Sequence, residues 1–257
     1  MPLNLPTRHN KKLRALVEAI DADPELAQWW KCANVNVVDR QGMTDHGEVH
    51  IRIVCNAALK LLRLLVDAGV QTSIEADYGM AAADAEVVVV AASALHDLGI
   101  AVHRDNHEQL SIPLAISILP RLLSAIYAPA ERVIIQAETL HAIAAHRWDQ
   151  TCLTIESGVV KVADTLDMTQ GRSRIPYEMG ETSIHTISAA AIDAVHLLQG
   201  KEKPIRIEIE MSNSAGVFQV DELLKRKLRN SSIAPYVEVI AHIEGETEKR
   251  LLEFYSL

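Results

Sequence analysis

The chain has 257 residues, 49% of them hydrophobic but only 4% aromatic, and a formal net charge of −9. That length buries a sizeable core, as one large domain or as a main domain with a smaller one, and Ala, Leu, Ile and Val must build it. The acidic balance argues against a lasting complex with duplex nucleic acid, which rests on Lys and Arg neutralising phosphates, but leaves room for a local basic pocket that takes a small phosphorylated molecule. Cys32, Cys55 and Cys152 lie far apart, without zinc or redox spacing, so a reducing compartment is expected. Residues 1–6 are too short in apolar content for a signal peptide and residues 87–95 too short to span a bilayer; a soluble cytoplasmic protein without membrane contact is the expectation.

Residues 9–20 read as a short amphipathic helix that stops before Pro24, because the residue preceding a proline disfavours helix. A second helix is expected over 24–31, then an irregular stretch over 35–47 with a turn at Arg40-Gln41-Gly42. From 49 to 68 the apolar residues Ile53, Ala57, Leu61, Leu64 and Leu65 recur at helical spacing, and Gly69 suits the stop. Further helices are expected over 82–98, 111–124, 130–147, 156–166 and 187–198, the last closed by residues 200–204. The period then changes. Residues 205–211 and 236–243 alternate as strands with one buried face, and a helix over 219–228 supplies the crossover that a parallel pair needs. The fold class is therefore mostly α, a helical domain over 1–200, with a small C-terminal α/β subdomain over 201–257. The subdomain's role stays open between capping the helical core and acting as a substrate gate or a surface for homo-oligomer formation.

The chemistry centres on His96-Asp97, which ends the apolar run Val87-Val88-Val89-Val90-Ala91-Ala92-Ser93-Ala94-Leu95 and precedes Leu98-Gly99. An imidazole beside a carboxylate holds a divalent cation only if more ligands arrive from elsewhere. Asp45-His46-Gly47-Glu48-Val49-His50 opens the long helix upstream, and Val162-Ala163-Asp164-Thr165-Leu166-Asp167 closes another downstream. This order over residues 45–175 resembles the HD superfamily of metal-dependent phosphohydrolases, whose His-Asp pair ends a buried Ala-rich helix with a Gly beside it.

The resemblance implies that His50, His96, Asp97 and Asp164 ligate a metal. His50 is preferred to His46 because His50-Ile51-Arg52-Ile53-Val54 matches the family's first His better; His46 would then support another ligand from behind. Asp167, one helical turn from Asp164, is expected to orient either a metal-bound water or a ligand His, and is grouped with Asp97 and Arg104 as catalytic. In ribonuclease Y and the HD-GYP phosphodiesterases, extra histidines complete a two-metal centre; His107 and His146 are the candidates here. His141 competes with His146, since Glu138 followed three residues later by His is itself a two-metal helix pattern. Gly171-Arg172-Ser173-Arg174 resembles the basic loop of ribonuclease Y, so Arg172 and Arg174, with His103, are expected to bind substrate phosphate. The Gly-Tyr-Pro signature of the HD-GYP group is absent, which weakens a cyclic dinucleotide as substrate.

Imidazole and carboxylate ligands suit one or two ions of Mn, Fe, Co, Ni, Zn or Mg, and a bound ion lowers the pKa of water. The implied activity is hydrolysis of a phosphate ester, a nucleotide or short oligonucleotide, with monoester and diester both open. The alternative is a catalytically silent nucleotide-binding sensor or interaction module, although all four core ligands are present. An oxygen-activating di-iron branch shares the same ligand set.

Overall fold

The computed structural model of the chain describes residues 2–169, 188–243 and 254–256. Two short helices come first, and side-chain caps set the break between them. Asn10 accepts from the amide of Leu13 at 3.0 Å to open α1 (Lys11–Asp21). Asp23 does the same for Leu26 at 3.0 Å to open α2 (Pro24–Asn34), where proline takes the first helical position. The stretch expected to be irregular begins instead with a π-helical turn, Val35–Asp39, continuing α2.

Next come α3 (Glu48–Asp67), the short α4 (Ser73–Tyr78), which the periodicity did not reveal, and α5 (Ala82–Leu95). Every residue of α5 from Val87 to Leu95 is buried, and a helix apolar all round belongs in the middle of a bundle. Around it pack α1, α3, α7 (Pro129–Ala145) and α8 (Ile155–Thr165). The Val and Ala side chains of α5 allow close approach, which is how a core with so few aromatic rings is filled. A 3₁₀ turn, Leu98–Ala101, leads from α5 to α6 (His107–Leu123). This helix begins before the expected residue 111 because Asn106 takes a left-handed conformation, φ 57°, and starts the helix directly behind itself.

The expected helix over 187–198 is corrected: residues 192–199 form strand β1 (Ile192–Gln199). The Ala-rich run does open helically, at residues 188–190, but from Ile192 on the chain pairs with β2 (Ile205–Met211), with Leu197 opposite Ile207, and tertiary pairing decides the state there. The sheet therefore begins ahead of residue 201. Strand β3 (Val237–Ile243) lies parallel to β2, with Ile207 opposite Val239, and β4 (Phe254–Ser256) is antiparallel to β3; the order is β1-β2-β3-β4. The crossover from β2 to β3 is helical, as expected. This segment, α9, runs from Val217–Gln219 through a π-helical turn at Val220–Leu224 into Lys225–Arg229. The fold is thus mostly α with a small α/β part. One apolar core joins the two, since Ile207 and Val239 of the sheet belong to the same cluster as Leu61 and Leu62 of α3. Helix α9 packs on α8, which brings the C-terminal part beside the ends of α5 and α8. Among the described residues no helix is long and apolar enough to cross a membrane.

Candidate metal centre

Five helix ends meet at one place. His96 follows the last residue of α5, and its Nδ1 donates to the carbonyl of Ser93 at 2.8 Å. Asp97 is next in the chain. The turn that carries the pair is held by Ser111 of α6, whose hydroxyl donates to the His96 carbonyl at 2.6 Å and accepts from the Gly99 amide at 2.8 Å. Gly99 is required by close approach: a Cβ there would stand 2.1 Å from the carbonyl oxygen of His107. His107 is the first residue of α6, His50 lies in the first turn of α3, His146 follows α7, and Asp164 sits in the last turn of α8.

The outer ring nitrogens fix the tautomers. His50 Nδ1 donates to Asp167 Oδ2 at 2.7 Å and His146 Nδ1 donates to the carbonyl of Ile143 at 2.6 Å. His107 Nδ1 lies 3.0 Å from the carbonyl of Arg104 and 2.8 Å from its Nη1; when it donates to the carbonyl, its Nε2 too is left with a lone pair. A neutral imidazole has one N–H, so the Nε2 atoms of His50, His96 and His146 turn lone pairs inward. Nε2 of His50 lies 3.4 Å from Nε2 of His96, 3.5 Å from Asp97 Oδ2 and 3.3 Å from Asp164 Oδ1. Nε2 of His96 lies 3.3 Å and 3.6 Å from those same oxygens. The other oxygen of Asp97, Oδ1, lies 3.2 Å from His107 Nε2 and 3.7 Å from His146 Nε2, and these two nitrogens are 3.4 Å apart.

These spacings suit a shared cation. Ligand atoms held about 2.0–2.2 Å from one ion stand roughly 3.0–3.5 Å from each other. His50, His96 and Asp97 form one such group, His96, His146 and Asp164 a second, and Asp97, His107 and His146 a third. The buried His and Asp groups can therefore bind a divalent metal. Asp97 faces His50 and His96 with one oxygen and His107 and His146 with the other.

Without a cation, protons must separate the acceptors. Burial opposes charge on His96, but the carboxylates of Asp97 and Asp164 outweigh it and push its pKa up to about 9. Burial pushes His146 down to about 4, against its hydrogen bond to Asp97 and with the charges of His96 and Lys227. Burial likewise favours the neutral form of Asp97 and Asp164; the neighbouring His96, for Asp97, and Lys227, for Asp164, hold both carboxyls well below the usual range. Lys227, from α9, forms an ion pair with Asp164 Oδ2.

The centre opens into a cavity of about 990 Å³, walled in part by Arg104, Arg147, Trp148 and Lys227. The structure brings together six residues read from the sequence as ligands: His50, His96, Asp97, His107, His146 and Asp164. His46 stands behind them, with its ring centroid 5.3 Å from that of His50 and its Nδ1 2.7 Å from the carbonyl of Thr44. Of the two expected roles for Asp167, the bond to His50 Nδ1 is that of a positioning residue. Arg104 lines the cavity and contacts His107. His141 is not part of the cluster, because its Nε2 accepts from the amide of Leu153 at 3.1 Å, and Glu138 accepts instead from the hydroxyl of Tyr78 at 3.0 Å. His103 is placed apart from the cluster: it is exposed, is not among the residues that line the cavity, and accepts from the amide of Asp105 at 3.0 Å. Arg172 and Arg174 lie outside the described residues.

Arg147, Trp148 and Lys227 on the cavity wall were not read from the sequence as site residues; Arg147 pairs with Asp149 at 2.7 Å. Trp148 stands 53% exposed at the cavity, a cost in apolar exposure that the sequence context did not reveal. Lys227 had a readable signal. In α9, Asp221 pairs with Lys225 at 2.7 Å and Glu222 with Arg226 at 2.6 Å, each four residues apart; the residue four before Lys227 is Leu223, so this lysine has no acid on its own helix to meet.

No family model and no solved structure matches the chain. The chain is 42% identical over 216 residues to Uncharacterized protein MJ1020 of Methanocaldococcus jannaschii, an alignment that covers 84% of this chain and 83% of the archaeal one. At that identity and coverage, the chain belongs to the same family as this archaeal protein.

Proposed function

We propose that the protein is an HD-type metal-dependent phosphohydrolase that cleaves a small phosphate ester, a nucleotide or short oligonucleotide, at a two-metal centre. The observation that carries this reading is the cluster of imidazole lone pairs turned toward carboxylate oxygens at 3.2–3.7 Å. Buried acceptors that face each other are costly unless a cation lies between them. His50, His96, Asp97 and Asp164 would hold one ion and Asp97, His107 and His146 the other, with Asp97 shared. Bound there, such ions would lower the pKa of a water and would offset charge on the phosphoryl oxygens.

The chain's own groups supply the rest. Asp167 fixes the ring of His50 through Nδ1, as carboxylates behind metal-binding histidines do. Arg104 places its guanidinium beside His107, where a planar fork suits a phosphate. A cavity of about 990 Å³ has the size of a nucleotide site, and Trp148 on its wall offers a face for a base. A chain of net charge −9 thus keeps cations where an anionic substrate enters.

The test is hydrolysis of a panel of phosphate monoesters and diesters by the full chain supplied with Mn²⁺, beside Asp97→Ala. Turnover in the wild type that the variant lacks supports the reading. Tight nucleotide binding without turnover under any of Mn, Fe, Co, Ni, Zn or Mg would instead support a silent sensor.

A further inference from the structure

We propose that Lys227, carried by the C-terminal α/β part, is a substrate-binding residue of the centre that takes a non-bridging oxygen of the phosphoryl group. The inference rests on the phosphohydrolase reading and assigns to it a residue from outside the helical bundle. Two observations converge. Lys227 forms its ion pair with Oδ2 of Asp164, while Oδ1 of the same carboxylate faces His50 and His96 at 3.3 and 3.6 Å. The ammonium group is thus one carboxylate away from the inner cluster. It also lines the cavity together with Asp97, His107 and Arg104.

An ammonium group has three donors, and Asp164 is the one hydrogen-bond partner of Lys227 among the described residues. The remaining donors have the cavity in reach. The neighbouring cations of α9 are committed elsewhere, Lys225 to Asp221 and Arg226 to Glu222. The apolar residues Val220, Leu224 and Leu228 anchor α9 in the core, and a π-helical turn precedes Lys225, a feature frequent at functional sites. Lys227, between two anchored turns, is held as a fixed point charge, the form in which lysine binds phosphate.

The experiment uses the full-length Mn²⁺-loaded protein and inorganic phosphate as probe, with titration calorimetry for binding and mass spectrometry for Mn per chain. Wild type is compared with Lys227→Gln, Lys227→Arg and the control Lys225→Gln, which removes the same charge two residues away. The expected result is an unchanged Mn content in Lys227→Gln with phosphate affinity weakened about 10- to 100-fold, the range of a charge-assisted hydrogen bond. Lys227→Arg should recover most of that loss, and Lys225→Gln should bind as wild type.

If Lys227→Gln loses Mn while each loaded centre binds phosphate as before, the lysine only holds Asp164 in place and the proposal is overturned. Unchanged Mn and phosphate affinity overturn it as well. Should Lys227→Gln fail to fold, amine acylation of the wild type decides: phosphate protects Lys227 and not Lys225, and equal labelling with and without phosphate refutes the assignment. Lys227-dependent phosphate binding without hydrolysis of any ester would sink the hydrolase reading and keep the lysine. Hydrolysis that Lys227→Gln retains at full kcat/KM would do the reverse.

Discussion

Substitution of Gly99 by alanine tests how the His-Asp turn is tied to the second half of the centre. The added Cβ would stand 2.1 Å from the carbonyl oxygen of His107 and 2.6 Å from the amide nitrogen of Ser111. Both are backbone atoms of α6, so relief cannot come from a side-chain rotation. Restoring ordinary contact needs the first turn of α6 to retreat by about 1 Å, at a cost of about 2–3 kcal/mol for overpacking. For a chain of this size that is a fall in Tm of about 5–10 °C. The retreat carries His107 with it and breaks the Ser111 clasp on His96. His107 Nε2 is 3.2 Å from Asp97 Oδ1, so a shift of that size separates it from the group it shares with His146. Calorimetry of chelator-treated protein isolates the steric cost, and mass spectrometry after reloading counts the ions. Under the proposed two-metal reading, Gly99→Ala should melt lower and hold one Mn against the two expected in wild type. A chelator-treated variant that melts like wild type and reloads both ions refutes the coupling.

Asp97→Asn should abolish both sites, because each oxygen of Asp97 faces a different pair of histidines; a full metal complement in this variant refutes the shared role. Asp167→Asn should leave the count of ions at saturating Mn unchanged but weaken Mn affinity about 10- to 100-fold, read by competition with a fluorescent chelator. Acid should weaken Mn binding. His96 in the metal-free protein has its pKa raised to about 9 and must be neutral to ligate, so affinity falls about tenfold per pH unit from pH 9 down toward 6; a flat profile with no proton release excludes this exchange. The same shift links to folding. A His pKa raised above 6.5 gives metal-free protein stability that is complete below pH 6.5 and lost as pH rises through about 9, so its Tm should be lower at pH 10 than at pH 6. His103→Ala should change neither metal content nor turnover, since His103 is exposed and apart from the cavity.

The helical bundle and most of its centre were legible in the sequence for a physical reason. A helix as apolar as α5 has one place to go, and His96-Asp97 at its end can be tolerated there only with partners. Polar residues at the first or last turn of neighbouring helices are the ones that such packing can deliver, which is why His50, His107, His146 and Asp164, picked out in the sequence, lie together with the pair. What failed did so through long-range pairing. The Ala-rich stretch before β1 is helical over residues 188–190, and nothing local to residues 192–199 announces that the helix stops there and that β2 presents an edge for them to pair with. His103 lies four residues from His107 but before the helix starts, so proximity in sequence did not carry it to the site.

Lys227 shows what a local reading omits at a charged centre. Arginines are read from the sequence beside the imidazoles and carboxylates, but this lysine is not. Arg104 and Arg147 line the cavity from the bundle, and Lys227 arrives through the crossover of the small sheet, 63 residues after the carboxylate that it meets. On the proposed role of Lys227, the C-terminal part does more than cap the bundle. Its apolar strands join the core of the helices, that burial fixes α9 against α8, and α9 in turn fixes an ammonium group at the cavity wall. The proposal then couples stability of the sheet to affinity for an anion through this one helix: a substitution that loosens Ile207 or Val239, both fully enclosed in the shared core, should weaken phosphate binding while the ligands themselves stay in place.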